Sequence, residues 1–219
     1  MTALLPDSPL SHLLDRLFAQ AAATPLPDMT PDTRAEIDRL MRSKTGYREF
    51  YGRARDLWLP VSRDAGVLLY MLARSSRARS IIEFGTSFGI STLYLAAALR
   101  ENGGGRLIGS EFEPSKVARA RAHLAEAGLD DLVEIREGDA LQTLATGLPE
   151  IIDLVLLDGA KALYADVLDL LVDRLRPGAL IVADNADYCP EYLARVRAPD
   201  SGFVSVPFAN DVELTMRVD

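Results

Sequence analysis

The feature that most constrains this chain is the run Arg79-Ser80-Ile81-Ile82-Glu83-Phe84-Gly85-Thr86-Ser87-Phe88-Gly89-Ile90-Ser91. Apolar residues lead to an acid, a turn with two glycines follows, and residues 91–99 carry a helix-forming sequence. Strand, tight turn and helix in that order begin an open α/β sheet, in which a ligand lies across the carboxyl end of the strand. Gly85 and Gly89 lack a Cβ, so the backbone there can turn sharply and approach a ligand closely. The helix beyond them aims its first N–H groups at a carboxylate or phosphate. The spacing Glu-x-Gly-x-x-x-Gly lacks the third glycine of the dinucleotide fingerprint, which argues against a nicotinamide-dependent dehydrogenase. A strand-end acid two residues before the first glycine suits a ligand with an ammonium group, which Glu83 would reach directly or through water. Taken alone, the turn reads equally well as a structural connection.

The alternation continues downstream. Residues 106–111, 132–137, 151–157 and 179–184 read as strands, and residues 203–207 and 212–218 as a closing pair. A helix opens at Pro114 and ends near Gly128. Another follows Asp158, with Leu163, Val167, Leu170, Leu171 and Leu175 on its buried side, and Pro177-Gly178 reads as a turn. Upstream, Ser62 caps a helix through Leu72, and Ser8 precedes an amphipathic helix carrying Leu10, Leu13, Leu14, Leu17 and Phe18. Residues 23–31 are a break, and Thr30-Pro31 opens a helix reaching about Met41. Residues 44–60 hold Tyr47, Phe50, Tyr51 and Trp58 and read as a lid over the core, compatible with walling a pocket. At 219 residues one domain is expected. Residues 1–60 form its helical cap rather than an independent domain, and residues 61–219 its α/β body.

The formal net charge of −8 argues against a broad phosphate-binding surface, although residues 34–55 are locally rich in Arg and Lys. No apolar run approaches the roughly 20 residues of a membrane span, and the N-terminus lacks a signal-peptide pattern. Cys189 is the one cysteine, which leaves no internal disulfide and no multi-cysteine zinc site. A reducing, cytoplasmic setting is the expectation. His12 and His123 read as ordinary helix residues, and Cys189 as inert.

Four expected strands end in acids at one sheet edge: Glu83, Glu111, Asp158 and Asp184. Like charges gathered there repel unless a ligand or cation compensates them. Glu111 stands where an acid on the second strand grips ribose hydroxyls. Gly138-Asp139-Ala140 is placed to meet an adenine edge. Asp158, Asp184 and Asn185 offer only oxygen ligands, a set for Mg²⁺ or Ca²⁺ rather than zinc. Lys161 stands beside them, where a divalent cation disfavours its ammonium form and helps make it a base. Singly, Lys161 reads as a solvated helix-start lysine and Asp184-Asn185 as a strand-end turn; the joint spacing favours function.

The segments Glu83 to Ser91, Glu111-Phe112-Glu113-Pro114, Gly138-Asp139-Ala140, Asp158-Gly159-Ala160-Lys161-Ala162-Leu163-Tyr164 and Ala183-Asp184-Asn185 resemble the ordered motifs of the cation-dependent, catechol-type O-methyltransferases. The resemblance implies a Rossmann-like seven-stranded sheet, six strands parallel and the last antiparallel, flanked by helices. It implies S-adenosylmethionine and a divalent cation as cofactors, Mg²⁺ first, with Ca²⁺ or Mn²⁺ as alternatives. The implied cofactor residues are Val61, Ser62, Glu83, Gly85, Ser87, Ser91, Glu111, Asp139, Ala140 and Asp158. Of these, Glu83 would meet the methionine ammonium and Ser91 the carboxylate. Asp158, Asp184 and Asn185 match the metal ligands, and Lys161 with Asp158 the catalytic pair. The implied partner is a small hydroxylated acceptor, aromatic with vicinal hydroxyls, and the chain would form a homodimer through its N-terminal helices. This chain differs in having Arg63 where proline is frequent and Ser87 where an aromatic is common. The rival readings are a methyltransferase acting on a hydroxylated tRNA nucleoside, which the acidic balance disfavours, and a non-catalytic S-adenosylmethionine-binding protein.

Overall fold

The structure, a computed structural model, describes residues 7–25, 28, 30–208 and 211–219. The chain opens with helices α1 (Pro9–Ala23), α2 (Pro31–Met41), α3 (Tyr47–Arg53) and α4 (Arg63–Ser75). Ser8, Thr30 and Ser62 each accept a backbone N–H from the first turn of α1, α2 and α4. Such a cap satisfies a donor that the helix cannot, worth about 1 kcal/mol. Strand and helix then alternate: β1 (Ser80–Phe84), α5 (Ile90–Glu101), β2 (Arg106–Glu111), α6 (Pro114–Glu126), β3 (Val133–Glu137), α7 (Ala140–Thr143), β4 (Ile152–Leu157), α8 (Tyr164–Leu171), β5 (Leu175–Ala183), α9 (Pro190–Val196), β6 (Phe203–Phe208) and β7 (Val212–Arg217).

The seven strands lie in the order β3-β2-β1-β4-β5-β7-β6. β1 pairs in parallel with both β2 and β4, and β7 runs antiparallel to both its neighbours. The order therefore reverses between β1 and β4, and the crevice beyond their carboxyl ends is where such a sheet takes its ligand. The Rossmann-like sheet with an antiparallel last strand is as the sequence led us to expect.

Two apolar layers cover the sheet. On one face, Leu10, Leu13, Leu14 and Leu17 of α1 pack with α4, α5 and α6. Each buried leucine contributes about 2 kcal/mol. Residues 90–99 of α5 are buried all round, as a helix caught between the sheet and a second helical layer must be. On the other face α8 and α9 pack with Tyr47 of α3. The cap thus sends side chains into both layers.

Two expectations need correction. Leu175 does not close the helix after Asp158; α8 ends at Leu171, a short 3-10 turn follows, and Leu175 begins β5 opposite Ile152. Pro177-Gly178 is not a turn ahead of that strand but an irregularity within it, where the register jumps between Ile152 and Leu154. Proline has no N–H for the ladder and Gly178 takes φ +80°, so the pair fits a bulge. Asp153, the residue at the jump, accepts the backbone N–H groups of Arg79 and Ser80 and the Arg176 side chain, at 2.8, 2.9 and 2.5 Å. Among the described residues no helix is long and apolar enough to cross a membrane.

Candidate active site

The turn between β1 and α5 shows why glycine is needed there. Gly85 has φ +100°, and a Cβ on it would lie 2.5 Å from the carbonyl oxygen of Asp158. The two strand ends therefore meet backbone to backbone at the foot of the crevice between β1 and β4, where the Asp158 N–H donates to the Phe84 carbonyl at 2.8 Å. Above it lies a cavity of about 860 Å³, in the range of ligand pockets and roomy enough for a nucleoside-sized molecule with a second small one.

The four expected rim acids turn out to be differently placed. Glu83 lies below the rim, fully buried. It accepts hydroxyl hydrogens from Thr86, Ser91 and Thr92 at 2.9, 2.6 and 2.6 Å. Burial raises its pKa, and the three hydroxyl bonds oppose the rise. The Ser91 proton is thus directed at Glu83 rather than outward. Glu111, at the end of β2, faces the cavity and is fixed by the backbone N–H groups of Ser87 (2.7 Å) and Glu113 (2.9 Å). Ser87 adopts φ +48°, and its Oγ is buried without a hydrogen-bond partner, a polar atom that the surrounding protein leaves unmatched.

Asp139 caps α7 through the Leu141 N–H, and it also accepts from Tyr47 Oη (3.0 Å) and Arg48 Nη2 (2.6 Å) of the lid helix α3. Burial works against its charge, but these three donors win and hold its carboxyl below the usual range. Tyr51, one turn further along α3, donates to the Gly159 carbonyl at 2.9 Å. The lid is therefore latched to both sides of the crevice. Trp58 stacks on Phe88 at 4.3 Å between centroids and, with Val61, Ser87 and Ser91, walls a narrow arm of the cavity. His123 is structural, its Nδ1 lying 2.8 Å from the Phe88 carbonyl oxygen. The basic residues around the lid are largely spoken for: Lys44, Arg48 and Arg53 pair with carboxylates of other elements.

The floor of the cavity holds the densest chemistry. Asp158 directly follows β4 and Asp184 directly follows β5, and adjacent parallel strands bring the two together. Lys161 is buried between them, with Nζ 2.6 Å from Asp158 Oδ1 and 3.3 Å from Asp184 Oδ2. Burial alone would lower its pKa, but the Asp158 charge and further groups including Asp184 outweigh it and keep the ammonium protonated. Burial, reinforced by Asp184, pushes the Asp158 carboxyl up to about 7 against the pull of Lys161. Tyr164 donates to the Asp184 carbonyl at 2.7 Å and supports the turn.

Asn185 takes φ +48° and donates its Nδ2 to Asp211 Oδ2 at 3.2 Å, leaving its side-chain oxygen free of that bond. The donor set Asp158, Asp184 and Asn185 fits a hard divalent cation: all are oxygens, and two carboxylates already converge on one positive nitrogen. Among the described residues no three His, Cys, Asp or Glu side chains gather into a group that could hold a metal ion.

Val61, Ser62, Gly85, Ser87, Glu111, Asp139, Ala140, Asp158, Lys161, Asp184 and Asn185 all line the cavity, Ser91 lines the arm, and Glu83 lies beneath. Sequence reasoning missed Arg48, Asp211 and Lys116. No local motif marks these three, because each reaches the site from a cap helix, a distant loop or the inner side of α6.

Comparison with known proteins places the chain in a family. A family model described as a methyltransferase domain matches residues 82–186. A catechol O-methyltransferase from Niastella koreensis is 38% identical over 58% of this chain and 58% of its own length, so that match spans less than two thirds of the relative. Catechol O-methyltransferase B from Danio rerio is 32% identical over 78% of this chain and 67% of its own. TomG, an O-methyltransferase from Streptomyces achromogenes involved in tomaymycin synthesis and solved in complex with S-adenosylmethionine, is 26% identical, with a TM-score of 0.61 over 96% of this chain and 99% of that one. These likenesses in sequence and shape show that the chain belongs to the class I S-adenosylmethionine O-methyltransferase family.

Proposed function

We propose that this chain transfers the methyl group of S-adenosylmethionine to a hydroxyl of a small acceptor, an aromatic with two adjacent hydroxyls, with help from a divalent cation. The observation that carries the reading is the buried Lys161 held by Asp158 and Asp184 on the floor of a cavity rimmed by Glu111 and Asp139. Glu111 and Asp139 would hold the ribose and adenine ends, and Val61, Ser62, Gly85, Ser87, Ser91 and Ala140 the walls around the methionine and the ring. Glu83 supports Ser91 from below. S-adenosylmethionine supplies a methyl group on a positively charged sulfur. A divalent cation, Mg²⁺ first, supplies polarisation of the acceptor oxygens and takes up carboxylate charge.

Asp158, Asp184 and Asn185 would hold that cation. Lys161, once its two carboxylate contacts are given up, loses the field that keeps it protonated and presents an amine to the acceptor hydroxyl. Asp211 offers a further carboxylate at this end for a second hydroxyl. The lid residues Tyr47, Phe50 and Tyr51 exclude water while the apolar wall holds the acceptor ring so that its hydroxyl oxygen lies in line with the methyl carbon and the sulfur that leaves. The acidic balance and the paired lid arginines favour a small acceptor over a tRNA nucleoside.

The test is calorimetric binding of S-adenosylmethionine, then methyl transfer to a panel of aromatic vicinal diols with Mg²⁺ or with EDTA. Transfer that needs Mg²⁺ and is lost in Lys161→Ala supports the reading. Binding without transfer to any diol would leave a cofactor-binding protein instead. A homodimer through the N-terminal helices belongs to the same proposal, and light scattering on the eluted protein checks it.

A further inference from the structure

Lys116 is the residue that the proposed chemistry does not use and the fold does not explain. It is 3% exposed, the third residue of α6, and it lines the main cavity beside Glu111 but not the narrow arm. Among the described residues no carboxylate lies within ion-pair distance of its ammonium and no acceptor within hydrogen-bond distance. The Phe88 ring, 5.2 Å from Nζ, is its contact. Three physical costs fall on one side chain. The charge is desolvated, and burial pulls its pKa below the ordinary lysine value. A cation in the first turn of a helix faces the positive end of the dipole. Three N–H donors are left without oxygen partners.

A buried ammonium of this kind is expected to meet a ligand. The charges around it, Glu111 first and then Glu113 and Asp56, define which. Glu111 lines the same cavity with its carboxylate fixed by two backbone N–H groups, so an anion would be repelled by it. A neutral vicinal diol suits both neighbours: its O–H groups point to Glu111 and its oxygen lone pairs accept from Lys116. We propose that Lys116 is a cofactor-binding residue that donates to the ribose hydroxyl oxygens of S-adenosylmethionine, forming with Glu111 a donor and acceptor clamp on the diol. This rests on the reading of the cavity given above.

The test compares two ligands on two proteins by calorimetry. S-adenosylhomocysteine and its 2′,3′-dideoxy analogue are titrated into the unaltered chain and into Lys116→Met, a substitution of similar length without the charge. For the variant, affinity for S-adenosylhomocysteine falls about ten- to 150-fold, the range for a lost hydrogen bond to a charged group. Affinity for the dideoxy analogue stays within about twofold, since that ligand has nothing for Lys116 to hold. The thermal midpoint of Lys116→Met holds or rises, because a buried unpaired charge is removed. A merely structural lysine would lower it instead. An equal loss for both ligands, or none for either, overturns the ribose assignment while leaving the cavity as the cofactor site. Failure of the unaltered chain to bind S-adenosylhomocysteine overturns the reading of the cavity and this assignment with it.

Discussion

Glu83 on β1 and the Asp158–Asp184 pair beyond β4 and β5 sit at neighbouring strand ends of one sheet, yet they are neutralised in opposite ways. Glu83 is surrounded by three hydroxyls from the turn and the first turns of α5, all within nine residues along the chain. Asp158 and Asp184 share one ammonium. Hydroxyls hold a carboxylate with short neutral donors that have no better place to go, and such a site is a fixed support. An ammonium between two carboxylates can be exchanged for another cation, and such a site can be switched by what it binds. One acid therefore shapes the turn after β1, while the other pair stays exchangeable on the floor of the cavity.

The sharpest way to break this contrast is to remove Lys161. Lys161→Ala should lower kcat by about 10²- to 10⁴-fold, the usual contribution of a general base. S-adenosylmethionine affinity by calorimetry should stay nearly unchanged, and full turnover in a metal-controlled assay would sink the assignment. The same side chain sharpens the comparison through stability. Lys161→Met leaves two part-buried carboxylates facing each other and should cost about 3 kcal/mol in EDTA by urea unfolding, with part restored by Mg²⁺. If Mg²⁺ restores nothing, the two carboxylates do not form a cation site.

Thr92→Val tests the other half. It removes one donor from a buried carboxylate and should cost about 1–3 kcal/mol by urea unfolding. Mg²⁺ should make no difference there, and turnover per folded molecule should persist. Arg48→Ala should free one side of Asp139 and raise the KM for S-adenosylmethionine a few-fold with kcat unchanged. The smallest effect concerns pH. Asp139 is depressed in the folded chain, so its contribution to stability is complete above the unfolded aspartate value of about 3.9 and fades as pH falls through the lower folded value. Chemical unfolding of the unaltered chain between about pH 5 and pH 2 should show a shallower loss in Asp139→Asn.

Local chemistry made much of the molecule readable in advance. The caps Ser8, Thr30 and Ser62, the strands ending at Glu111 and Leu157, and the turn at Gly85 each follow from residues a few positions apart. The β5 bulge did not, because Pro177-Gly178 reads as a turn unless the partner strand is known. Nor did the depth of Glu83, since a strand-end acid reads as facing outward until three hydroxyls are seen around it.

The sequence by itself determined the sheet, its strand ends and the kinds of oxygen placed there, because periodicity, caps and glycines act over one turn or one strand. Only the tertiary structure decided which of those oxygens stay committed to the protein and which face the cavity. Lys116 shares the cavity with Glu111, 5 positions away, while Arg48 on Asp139 and Asp211 on Asn185 meet across 91 and 26 positions of chain. The long spans are closed by packing against both faces of the sheet, and even the short one depends on how α6 is rolled against β2. Local propensity specifies neither.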